Sequence, residues 1–142
     1  MERQYTASTY CIDFENKTIL LMYNKKLSKW LQPRGHIEGV EHPAKTAIRE
    51  ALEETGIEVK IIGPSFDGIN MEPISVTRYI NKVGDMIDIQ YLSIPVNKNI
   101  NSREDKEAVW YPIDKLDNKK NIDEEIKVKV KKLYKEYKDN YV

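Results

Sequence analysis

Three glutamates, Glu50, Glu53 and Glu54, crowd one short stretch of this 142-residue chain. If the stretch is helical, at about 100° per residue they fall within roughly 100° of arc on one side. Ala44, Ala47, Ile48, Ala51, Leu52 and Thr55 occupy most of the opposite side and form the natural core-facing stripe. Glu50–Glu53 and Glu50–Glu54 are like-charge pairs at i,i+3 and i,i+4, each costing a helix a few tenths of a kcal/mol. A cation at that face would relieve the repulsion. Carboxylate oxygens, with no thiol and no close imidazole pair, suit Mg²⁺ or Mn²⁺ rather than Zn²⁺. Mg²⁺ takes one or two carboxylates plus substrate phosphate oxygens, which points to phosphoryl or pyrophosphoryl chemistry.

The elements that must position these groups are legible as patterns. Pro43 fits the first turn of the helix, with His42 in the capping position and Glu41 near the positive end of the dipole. Gly56 supplies a stop. Residues 6–14 and 17–23 are rich in β-branched and aromatic side chains and read as two antiparallel strands around a Glu15–Asn16 turn. A loop over 25–33 closes on Trp30 and Leu31, and 35–38 reads as a short extended piece feeding the helix. Further strands are expected at 58–62, 74–80 and 86–95, with a last short one at 108–111. From Ile122 onward, Ile126, Val130, Leu133, Tyr134, Tyr137 and Tyr141 recur at helical spacing. The lysines between them are expected to form a solvated outer face. The pattern is that of a mixed α+β layer.

Lys and Arg number 23, as do Asp and Glu, so no global field attracts nucleic acid or anionic membrane. The length is that of one domain spanning residues 1–142. Cys11 has no intramolecular partner, which fits a reducing compartment, and it is expected in the core. No apolar run reaches signal-peptide or membrane-spanning length, so a soluble cytoplasmic protein is expected.

Residues 35–57 resemble the signature of the Nudix hydrolases: Gly, five residues, Glu, seven residues, then Arg-Glu-x-x-Glu-Glu-x-Gly and an aliphatic residue. Gly35, Glu41, Arg49, Glu50, Glu53, Glu54, Gly56 and Ile57 fill those places. A chance match is on the order of 10⁻⁸ per register. Ala51 departs from the larger aliphatic residue more usual there, a change that touches packing rather than chemistry. The resemblance implies an α/β/α sandwich around a mixed sheet. It implies Mg²⁺-dependent hydrolysis of a phosphoanhydride in a nucleoside diphosphate linked to another moiety, with Mn²⁺ as a substitute ion. The alternative is a domain that binds a nucleotide or sugar nucleotide as a sensor without cleaving it.

By the same resemblance, Gly35 (through its carbonyl), Glu50, Glu53 and Glu54 would form the metal shell. Arg49 and Glu41 would pair to hold the loop on the helix. The general base would be Glu50 or a carboxylate of the later loop, where Glu107 ranks ahead of Glu104 and Asp105. Arg34 and His36 flank Gly35 in a Pro-Arg-Gly-His run similar to the Pro-Lys-Gly-His form of enzymes acting on dinucleoside polyphosphates and diphosphoinositol phosphates; both are read as substrate-binding. The expected partner is a small nucleotide-type molecule. Net neutrality argues against nucleic acid, including RNA 5′ ends, and a homodimer is left open.

Overall fold

A computed structural model of the chain describes residues 2–63, 71–102 and 106–141. Its strands are β1 (Arg3–Asp13), β2 (Thr18–Asn24), β3 (Lys29–Leu31), β4 (Arg34–His36), β5 (Val59–Ile62), β6 (Ser75–Asn81), β7 (Gly84–Pro95) and β8 (Glu107–Pro112). Helix α1 (Pro43–Thr55) lies between β4 and β5, and α2 (Glu124–Tyr141) closes the chain after a short 3₁₀ turn over Ile113–Asn118. The expected strands all form. The stretch read as a loop at 25–33 also contains β3, whose three residues give too short a pattern to be seen in sequence.

The sheet is mixed, with β3-β2-β1-β7-β5 as its main path. β1 and β7 run parallel over nine paired residues, from Arg3 beside Asp85 to Cys11 beside Ser93. β1 and β2 are antiparallel but stay paired only at Ile12–Ile19 and Asp13–Thr18. Beyond that point they splay. β3 stays with β2 through Met22–Leu31, whereas β4 crosses to β1 through Ser8–Arg34, Ala7–Gly35 and Thr6–His36. The crossing is tied down by Thr9 N–H, which donates to the Pro33 carbonyl at 3.1 Å. It delivers Gly35 to the edge of α1.

Strand side chains alternate between faces, and here both faces are covered. Ala7, Cys11, Leu20, Ile61 and Tyr91 pack under α1 with Ala44, Ala47 and Ala51. Tyr10, Ile12, Ile19, Leu21 and Leu92 pack on the other side with Ile126, Val130 and Leu133 of α2. That is why β1 reads as an unbroken buried run from Thr6 to Asp13 rather than an alternating one. The result is the expected three-layer α+β arrangement.

Two local expectations are corrected. Leu52, placed on the core stripe of α1, is 52% exposed, because the helix meets the sheet through its three alanines and Thr55. The α2 lysines are not uniformly solvated. Lys127 is buried, and Lys129 Nζ donates to Thr77 Oγ1 at 2.8 Å and Gln90 Oε1 at 2.7 Å. Among the described residues, no helix is long and apolar enough to cross a membrane.

Candidate active site

Helix α1 begins and ends as its sequence dictates. His42 Nδ1 accepts from Ala44 N–H at 3.0 Å, Pro43 opens the first turn, and Gly56 closes the last with φ of 78°, its N–H donating to the Leu52 carbonyl. With the alanine face pressed on β1, the opposite arc turns toward β4. Gly35 then lies so close that a Cβ there would overlap the Glu50 carboxylate. Arg34 N–H donates to Glu54 Oε1 at 3.2 Å. The tight approach of β4 to α1 leaves no room for a side chain at position 35 unless the Glu50 side chain moves.

Arg49 organises the acidic cluster. Its Nε and Nη2 each lie 3.0 Å from a Glu41 oxygen, a bidentate pair, and Nη2 also donates to the His36 carbonyl at 3.2 Å. Nη1 reaches Glu50 at 2.9 Å and Glu53 at 3.4 Å. Thr46 Oγ1 donates to Glu41 at 2.6 Å. The Arg49 guanidinium and this hydroxyl hold the Glu41 carboxyl down at about 2. Arg49 in turn is pushed above its ordinary value, first by Glu41. Thr46 was missed in sequence, although one helical turn before Arg49 is a place from which a hydroxyl can reach the same partner.

Glu54 behaves in the opposite sense. It is buried, and burial followed by the neighbouring Glu50 charge pushes its carboxyl up to about 8. The Glu50 carboxylate one helical turn away favours the protonated form of Glu54. A buried carboxyl that must otherwise stay protonated, beside a second carboxylate and a residue without a side chain, fits a hard cation as the missing counter-charge. Among the described residues, no three acidic or histidine side chains close around one point as they stand. Arg49 Nη1 lies between Glu50 and Glu53 instead.

A groove of about 570 Å³ opens in front of these carboxylates. Its other wall comes from the end of β2, the turn after it, and Lys106. The remaining residues read from sequence are distributed as follows. Gly35, His36 and Arg34 line the groove, but the Arg34 guanidinium lies 4.9 Å over the Tyr79 ring and 3.9 Å from the fully buried Asp88, on the α2 side of the sheet. Asp88 also accepts from Thr6, Ser8 and Gln90. His36 Nε2 is hydrogen-bonded to Gln4 Oε1 at 2.7 Å. Glu107 pairs with Tyr23 across β2 and β8, shares strand parity with Val109 and Tyr111, which pack toward α2, and its charge acts on Lys119 over the Trp30 and Tyr111 rings. It does not line the groove. Glu104 and Asp105 lie outside the described residues.

The family profile described as the NUDIX domain matches residues 2–133. The chain belongs to the Nudix family. It is therefore an enzyme of the Nudix hydrolases, which as a family use a divalent metal ion. The chain is 27% identical over 116 residues to the uncharacterized Nudix hydrolase YvcI of Bacillus subtilis, covering 78% of this chain and 68% of that one. Over 47 residues it is 43% identical to the asymmetrical bis(5′-nucleosyl)-tetraphosphatase of Mus musculus, covering 31% of this chain and 32% of that one. Among solved structures, a NUDIX-family hydrolase from Clostridium perfringens superposes with a TM-score of 0.82 at 26% identity, covering 95% of this chain and 98% of that one.

Proposed function

We propose that the protein hydrolyses a phosphoanhydride bond in a nucleoside diphosphate linked to another moiety, with Mg²⁺ as its ion and Mn²⁺ as a substitute. The observation that carries this reading is a buried Glu54 beside a half-buried Glu50 that packs on a side-chain-free Gly35, both lining an open groove. Glu50, Glu53, Glu54 and the Gly35 carbonyl would hold the ion. When bound, it supplies neutralisation of the bridging phosphate oxygens and acidification of a water.

The chain's own residues do the rest. Arg49 fixes the loop carrying Glu41 against α1, so that His36 and Gly35 keep their place beside the carboxylates. Glu50, which lines the groove on α1, takes the proton of the attacking water as general base. The sensor reading loses ground because Glu53 and Glu54 are both present and both face the groove.

The test is turnover of Glu53→Gln and Glu54→Gln against nucleoside triphosphates, ADP-ribose, sugar nucleotides, dinucleoside polyphosphates and capped RNA, with and without Mg²⁺. Each variant should lose orders of magnitude while its circular dichroism stays native. Near-normal activity in either variant at saturating Mg²⁺ would refute the assigned metal site.

A further inference from the structure

The groove has two walls of opposite sign. Glu50, Glu53 and Glu54 line the α1 wall, while Lys25, Lys26 and Lys106 line the other. Lys25 and Lys26 are exposed in the turn between β2 and β3, and Lys106 is half-buried just before β8. Lysine side chains are long and flexible, and elsewhere on this molecule they find acids readily. Lys17, Lys29, Lys98 and Lys131 each lie within 3.2 Å of an aspartate oxygen. Among the described residues the three groove lysines make no ion pair, although Glu54 feels the charge of Lys106. Two separate segments thus bring like charges to the groove, and no acid among the described residues pairs with them.

We propose that Lys25, Lys26 and Lys106 form an anion subsite for phosphates lying beyond the scissile diphosphate, so that the preferred substrates carry an unbroken chain of three or more phosphates. This rests on the function proposed above. The two phosphates flanking the broken bond belong at the α1 carboxylates, so cations on the facing wall meet charge further along the chain. The chemistry of the wall also selects the ligand. Compact ammonium charges with freely turning donors suit a tetrahedral, multiply charged anion, whereas a planar carboxylate is better matched by a guanidinium fork. Among the described residues the one arginine lining the groove, Arg34, is engaged with Asp88 and Tyr79. A groove of about 570 Å³ has room for such a chain, lying within the range of about 300–1,000 Å³ common for small-molecule sites.

The experiment compares the wild type with the triple variant Lys25→Gln, Lys26→Gln, Lys106→Gln. Binding of inorganic tripolyphosphate and pyrophosphate is measured by calorimetry in EDTA, without metal. Wild type should prefer tripolyphosphate by about tenfold or more, with a steep salt dependence, and the triple variant should lose both. With Mg²⁺, the KM for a dinucleoside tetraphosphate should rise about tenfold in the variant at nearly constant kcat, while both constants for ADP-ribose stay within about twofold. Unchanged tripolyphosphate binding, or equal losses on both substrates, overturns the subsite. If wild type cleaves neither substrate, the hydrolytic reading fails, and the tripolyphosphate comparison still decides the subsite alone.

Discussion

Replacing Glu54 by Gln should stabilise the metal-free protein while destroying its activity. Glu54 has an ordinary value of 4.5 and is held at about 8 in the fold, chiefly by burial and then by Glu50. The folded state therefore binds more protons than the open chain between those values, and stability falls as pH rises through that window. At 1.36 kcal/mol per unit, the linked loss is about 1 kcal/mol at pH 5 and about 4 kcal/mol at pH 8. Gln is isosteric with the protonated acid. It can accept from Arg34 N–H and donate to Glu50, but it cannot ionise. The variant should match wild type within about 1 kcal/mol at pH 5 and exceed it by about 3–4 kcal/mol at pH 8, or roughly 6–16 °C in Tm. Urea denaturation in EDTA at pH 5, 6.5 and 8, followed by tryptophan fluorescence, measures the difference. Adding Mg²⁺ at a hundred times its Kd should return about 2.7 kcal/mol to wild type and nothing to the variant. A stability difference that does not grow with pH would refute the reasoning.

Three other substitutions separate packing from chemistry. Gly35→Ala should leave Tm almost unchanged, because the flexible end of Glu50 can give way. Turnover should nevertheless fall about a hundredfold, as expected when a reacting group is displaced by about 1 Å; a Tm scan beside kcat checks both. Gly56→Ala places a Cβ 2.8 Å from the Asn101 backbone at a φ of 78°. It should cost about 2–4 kcal/mol in urea denaturation, with the kinetic constants of the folded fraction preserved. Arg34→Met withdraws the guanidinium from buried Asp88 and should destabilise by about 1.5–3 kcal/mol. An unchanged urea midpoint with weakened substrate binding would instead assign that guanidinium to the substrate.

Much of the site is legible in the chain because it is local. Glu50, Glu53 and Glu54 share a face by helical spacing alone, and His42, Pro43 and Gly56 mark the ends of α1 through capping, ring geometry and positive φ. The Arg49–Glu41 pair joins the helix to its own preceding loop, eight residues away. These relations survive whatever the helix packs against. The strands and α2 were readable for the same reason, since periodicity follows from backbone geometry.

What the residues do beyond their own segment depended on sheet register. Strand parity sent Glu107 to the α2 side, and the crossing from β3 to β4 turned Arg34 toward Asp88 while pressing Gly35 onto Glu50. Lys25, Lys26 and Lys106, some 80 residues apart in the chain, share a groove wall only because β2 pairs with β8. The raised carboxyl of Glu54 is likewise a tertiary property, since the same glutamate on an isolated helix would be solvated and would titrate near 4.5. Sequence alone determined which charges lie on one turn of helix, because spacing in a helix is set by covalent geometry. Only the folded sheet decided which distant charges they face and how dry the site is, because pairing register and burial are sums over contacts that no local window contains.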